Sequence, residues 1–191
     1  MNPRELWTFA NALTAFRLCV AVPLMLACTV AGTQRGFFWV LVASFASDAI
    51  DGTVARLTGQ TSAFGAMLDS WADVAAYAAI AIGVTQLWPE LAQAAWPAFV
   101  AIVVSFVLPG LVAFARFRRF TSYHTWLVKL AVAAVAVALL LALSDGPHWP
   151  LSLAAALAVL AAGEEIAITC IIDAPRADIR GLLTVLHARR G

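Results

Sequence analysis

Ser47 to Asp73 reads S-D-A-I-D-G-T-V-A-R-L-T-G-Q-T-S-A-F-G-A-M-L-D-S-W-A-D, and it places Asp48, Asp51, Asp69 and Asp73 in an otherwise apolar chain. The spacings within the two pairs, three and four residues, put each pair on one face of a helix. The polar turn Thr58 to Ser62 is short, so the two helices are antiparallel neighbours and the pairs can face each other. A carboxylate at the centre of a membrane helix costs about 2.5–3.5 kcal/mol on insertion scales. Four of them ask for a compensating ligand, and hard oxygen donors suit a divalent cation. One or two Mg²⁺ or Mn²⁺ ions are therefore expected here. Two such ions would suit displacement at phosphorus.

The rest of the chain says that these helices lie in lipid. Of its 191 residues 63% are hydrophobic and 12% charged, and the mean hydropathy is +0.89. A soluble domain carries about 25% charged residues. An all-α polytopic membrane protein is expected, with six spans near 12–31, 36–57, 64–87, 95–115, 125–144 and 149–171. The whole of 1–191 reads as one membrane domain: an interfacial helix within 1–11, spans over 12–172 and a charged tail over 173–191. Arg4 precedes an apolar stretch, but Arg17 interrupts it and further spans follow, which argues against a cleaved leader.

Six spans put both termini on one side. Of the 12 Lys and Arg residues, all but Arg35 fall on that side. The positive-inside rule then makes the termini and the aspartates cytoplasmic. Small size and the lack of a targeting segment favour a prokaryotic plasma membrane. The tryptophans, including Trp7, Trp39, Trp88, Trp96, Trp126 and Trp149, fall near span ends and read as an aromatic belt. Cys19, Cys28 and Cys170 lie in apolar runs with no disulfide or zinc spacing. Nothing in the chain suggests a nucleic-acid partner.

Small residues flank the acids. Gly52 and Gly65 remove side chains beside them and let a bulky ligand such as a nucleotide approach the backbone. Ala55 keeps the same face thin, and Arg56 offers a guanidinium fork to phosphate. The pattern D-x2-D-G-x2-A-R-x8-G-x3-D-x3-D runs from Asp48 to Asp73 without a mismatch. It resembles the signature of the CDP-alcohol phosphatidyltransferases. Asn11 to Arg17 also resembles the N-x-L-T-x-x-R found at the first span of that family.

The resemblance implies a reaction and a set of roles. A CDP-alcohol, usually CDP-diacylglycerol, passes its phosphatidyl group to a second alcohol and CMP leaves. Asp48, Asp51 and Asp69 would bind metal; Asp73 would touch metal and act as general base. Gly52, Ala55, Arg56 and Gly65, with Asn11 and Thr14 of the first span, would surround the CDP moiety. A homodimer embedded among membrane lipids is implied as well.

The acceptor end is less specific. Arg116, Arg119 and Lys129, with His124, form a basic cluster suited to a phosphorylated acceptor, glycerol 3-phosphate first and inositol phosphate second. An ordinary positive flank on lipid headgroups explains the same residues. Ser122-Tyr123-His124 departs from the lysine-rich stretch of phosphatidylglycerophosphate synthases, which weakens glycerol 3-phosphate without favouring another acceptor. Glu164 and Glu165 inside the last span are candidates for a role near the substrate, or for structural pairing. Two other readings compete for the aspartates: a salt-bridge network with Arg17 and Arg56, and a cation or proton transporter. The clustering of all four acids at one membrane face argues against transport.

Overall fold

The structure, a computed structural model, describes residues 9–58, 63–118, 123, 125–172, 179 and 181–188. It is helical throughout, with no strand among the described residues. The elements are α1 (Phe9–Phe16), a π-helical turn (Arg17–Ala21), α2 (Val22–Val30), α3 (Gln34–Thr58), α4 (Ala63–Leu87), α5 (Pro89–Ala94), α6 (Trp96–Phe117), α7 (Trp126–Leu143), α8 (Trp149–Ile171) and α9 (Leu182–Ala188). Contacts divide the chain into two compact units, one ending at Ala92 and one starting at Gln93.

Five helices among the described residues are long and apolar enough to cross a membrane: Asn11–Val30, Met67–Leu87, Trp96–Phe117, Trp126–Leu143 and Trp149–Ile171. Their surfaces fit that role, since Val30, Val103, Leu153 and Leu160 are exposed. A water-facing surface tolerates no such continuous apolar exposure. The protein is an all-α polytopic membrane protein. The expected second span, 36–57, lies within α3, whose 25 residues extend about 37 Å at 1.5 Å per residue, long enough to cross the hydrocarbon core.

Most of the expected interfacial helix, residues 2–8, lies outside the described residues; Phe9 to Asn11 already belong to the first-span helix. In the tail only α9 is a described helix, and 173–178 lie outside. The segment after Trp88, expected as a breaker, forms α5, because a proline at a helix start loses no hydrogen bond.

In the first unit α1 and α2 pack along both α3 and α4. The π turn between them has a local cause. Pro23 would collide with the carbonyl of Cys19, four residues back, in a regular helix. Instead the backbone widens, and the Val22 N–H donates to the Arg17 carbonyl. The extra residue in the turn shifts the register, so Asn11, Thr14, Arg17, Ala21 and Met25 share the buried face.

α3 buries Phe37, Leu41, Ser44 and Ser47, and α4 buries Ala72, Ala76, Ala79 and Val84, both at helical spacing. One end of this pair is locked. A Cβ on Gly83 would fall 2.1 Å from the Phe37 ring, so only glycine lets the ring lie there. Trp88 meets Phe37 edge-on at 5.8 Å, and Gln34 Nε2 donates to the Leu87 carbonyl at 2.5 Å. The lock lies about 16 Å along α3 from Asp48.

The second unit packs α6 and α7 against α8. Its seams are built from alanine: Ala98 and Ala113 on α6, Ala131 and Ala138 on α7, Ala154, Ala158 and Ala161 on α8. In lipid such small side chains let helix backbones approach and gain dispersion contact. Trp96, Trp126 and Trp149 stand at the first residues of their helices and are exposed, as an aromatic belt requires. The three cysteines are free thiols.

Candidate functional site

Asp48 comes from α3, and Asp69 and Asp73 from successive turns of α4. Their nearest carboxylate oxygens all lie within 4.8 Å of one another. At the centre is Arg17, from the π turn, with a side chain 2% exposed. Its Nη1 donates to Asp48 Oδ1. Its Nη2 donates to Asp69 Oδ1 at 2.5 Å and lies 3.2 Å from Asp73 Oδ1. The carboxylates themselves are 39–48% exposed, so each keeps an accessible side. Arg17 thus joins three helical elements at one point.

The ion pairs with Arg17 are those the structural-network reading expects. Charge counts against it as the whole account. One guanidinium faces three carboxylates, which leaves this described cluster with a formal charge of −2. Hard oxygen donors at this mutual distance, already converging on a cation, are a set that fits a divalent ion such as Mg²⁺ or Mn²⁺.

The remaining motif residues fall as follows. Gly65 lies one turn before Asp69 on the same face of α4. Asn11 and Thr14 are buried on the Arg17 face of α1. Asp51, Gly52, Ala55 and Arg56 continue α3 beyond Asp48; their side chains lie outside the described set. Arg119 and His124 also lie outside it. Arg17 closes the Asn11 to Arg17 motif and is named by the salt-bridge reading, but the motif reading assigns it no role at the site.

Arg116 and Lys129 belong to the second unit, the aspartates to the first. Arg116 Nη2 donates to the Ile172 carbonyl at 3.2 Å, the end of α8, where a cation meets orphan carbonyls. Lys129 stacks 5.0 Å over the Trp126 ring. Both basic side chains have local structural work. Glu164 and Glu165 do as well. Glu165 Oε1 accepts from the Tyr123 N–H at 3.3 Å. The buried Tyr123 hydroxyl pairs with Thr169 Oγ1 at 2.9 Å, and Thr169 Oγ1 in turn donates to the Glu165 carbonyl. Glu164 Oε1 accepts from the Leu182 N–H at 3.0 Å and so caps the first turn of α9. These contacts support the structural alternative for the two glutamates.

An all-α membrane protein with clustered carboxylates converging from neighbouring spans is thereby defined. A profile of the CDP-alcohol phosphatidyltransferases matches residues 7–170. The chain belongs to this family of membrane transferases, whose members use divalent metals. It is 36% identical over 121 residues to the CDP-diacylglycerol--serine O-phosphatidyltransferase of Helicobacter pylori strain 26695, covering 58% of this chain and 48% of the relative. It is 35% identical to the protein of the same name from strain J99, with the same coverage. The chain spans about half the length of these curated relatives. No solved structure gives a significant match.

Proposed function

We propose that the protein transfers the phosphatidyl group of CDP-diacylglycerol to the hydroxyl of a small alcohol, with serine as the acceptor, and releases CMP. The observation that carries this reading is the convergence of Asp48, Asp69 and Asp73 within 4.8 Å in a chain of this family. The relatives named above favour serine over the glycerol 3-phosphate and inositol phosphate expected from the basic cluster. The structural partners of Arg116 and Lys129 favour it too. A serine carboxylate needs one cation, not a phosphate-binding cluster, and Arg116 already serves the Ile172 carbonyl.

In this reading Asp48, Asp51 and Asp69, with Asp73 at the edge, hold the divalent cation. When bound, that cation neutralises the donor's diphosphate and the CMP leaving group. Gly65 and Gly52 leave room for the nucleotide beside the backbone, and Ala55 keeps the face thin. Arg56 forks onto phosphate oxygens. Asn11 and Thr14, buried on the Arg17 face of α1, would contact the CDP moiety from the first span. Asp73 accepts the proton of the acceptor hydroxyl as its oxygen bonds to the phosphatidyl phosphorus. The bond from that phosphorus to the bridging oxygen breaks, and the electron pair leaves with CMP. The arginine and lysine distribution supports a site at the cytoplasmic face, where a soluble acceptor would meet a lipid donor. A prokaryotic plasma membrane and a homodimer complete the proposal.

The test is CMP release from CDP-diacylglycerol by purified protein with Mg²⁺ or Mn²⁺, against serine, glycerol 3-phosphate, inositol phosphate, inositol and phosphatidylglycerol. Serine-dependent release, lost on chelation and in Asp73→Asn, is expected. Release that depends on glycerol 3-phosphate instead would overturn the acceptor while keeping the class. Failure with every acceptor, and no binding of cytidine nucleotide, would overturn the class.

A further inference from the structure

Arg17 has features that a fixed structural bridge does not need. Its side chain is 2% exposed, and its three charged partners among the described residues are acids of the candidate site. Its Nε is buried without a hydrogen-bond partner. A purely structural buried guanidinium is ordinarily satisfied at every donor. It is borne on a π turn, an element of single turns that recurs at functional sites. The oxygens that Arg17 engages are the ones a divalent cation needs. A guanidinium and a dication compete for the same oxygen atoms, and each weakens the hold of those oxygens on the other.

We propose that Arg17 is the resident counter-cation of the carboxylate cluster: it competes with the divalent cation for Asp48, Asp69 and Asp73, and yields them when the cation enters. This deepens the transferase reading and rests on it for one step. The displaced fork has diphosphate oxygens as its new partners, so metal entry and donor binding become coupled through one side chain. Before a ligand arrives, the guanidinium offsets part of the charge of the three acids.

The experiment measures Mn²⁺ binding to detergent-purified protein by the electron paramagnetic resonance of free Mn²⁺, without nucleotide. Wild type is compared with Arg17→Gln and Arg17→Lys. If the arginine holds the oxygens about nine-tenths of the time, Arg17→Gln binds Mn²⁺ roughly tenfold tighter. Metal-free Arg17→Gln unfolds at a lower temperature than wild type, and saturating Mn²⁺ closes that gap. Arg17→Lys keeps the charge and loses the fork, so it also tightens, by less. Added CDP raises Mn²⁺ affinity in wild type and does so less in Arg17→Gln.

Unchanged or weaker Mn²⁺ binding in Arg17→Gln would overturn the proposal, because Arg17 would then be positioning the carboxylates for metal. Wild-type affinity in Arg17→Lys would overturn it too, by leaving only a through-space field. If Arg17→Gln does not yield monodisperse protein, Arg17→Lys decides alone. Absence of CMP release by wild type with every acceptor, and no binding of cytidine nucleotide, would sink the transferase reading and leave the Mn²⁺ competition standing or falling on its own data.

Discussion

Two groups of membrane-embedded acids differ in the kind of partner they have. In the first unit Asp48, Asp69 and Asp73 converge on one guanidinium and stay substantially exposed. In the second unit Glu164 and Glu165 each accept from the backbone N–H of a neighbouring segment. The glutamates sit next to each other, yet they serve different segments, Leu182 and Tyr123. The aspartates come from two helices and serve one point. An acid that satisfies a backbone donor contributes to folding, whereas acids that share one cation remain exchangeable toward another. The comparison teaches that burial of charge in a membrane protein signals chemistry only when carboxylates face one another.

The sharpest way to break this contrast is Asp73→Asn. Loss of the proposed general base is expected to lower CMP release roughly 10²–10⁴-fold, with the unfolding temperature in detergent near that of wild type. Glu165→Ala should do the reverse. It leaves the Tyr123 N–H without its acceptor, at about 1–3 kcal/mol, read as a lower unfolding temperature, while turnover per folded molecule stays within about twofold. A collapse of turnover in a stable Glu165→Ala protein would erase the distinction between the two groups.

A third change tests what holds the aspartates in place. Gly83→Ala drives a methyl into the Phe37 ring, and overpacking of this kind costs typically about 1–3 kcal/mol. Thermal unfolding should show the loss, and Phe37→Leu in the same chain should recover part of it. Tyr123→Phe sharpens the structural side: it removes the hydrogen bond to Thr169, worth about 0.5–1.5 kcal/mol, and leaves the ring in its apolar cluster. The smallest effect belongs to Lys129→Gln. Its contact with the Trp126 ring is exposed, worth about 0.5–1 kcal/mol, and acceptor KM should move less than about twofold. A tenfold rise in the KM of serine would return Lys129 to the acceptor site.

The sequence by itself determined the spans, the motif and the family. Apolar runs and breakers are local, and a helix satisfies its own backbone in lipid, so length and hydropathy suffice to place it within a few residues. The three- and four-residue spacings of the aspartates are also local, which is why their shared face was legible. Only the tertiary structure decided what those faces meet. Arg17 lies 31 and 52 positions from Asp48 and Asp69, and no short-range pattern ties them. It reaches them because Pro23 widens the turn before it, which shifts Arg17 onto the buried face. Likewise Glu164 and Glu165 look like one acidic pair in the chain, and become two separate caps because Leu182 and Tyr123 dock on either side of them. Local pattern fixes which residues share a helix face; the docking of helices fixes which charges meet, and so which of them are left able to do chemistry.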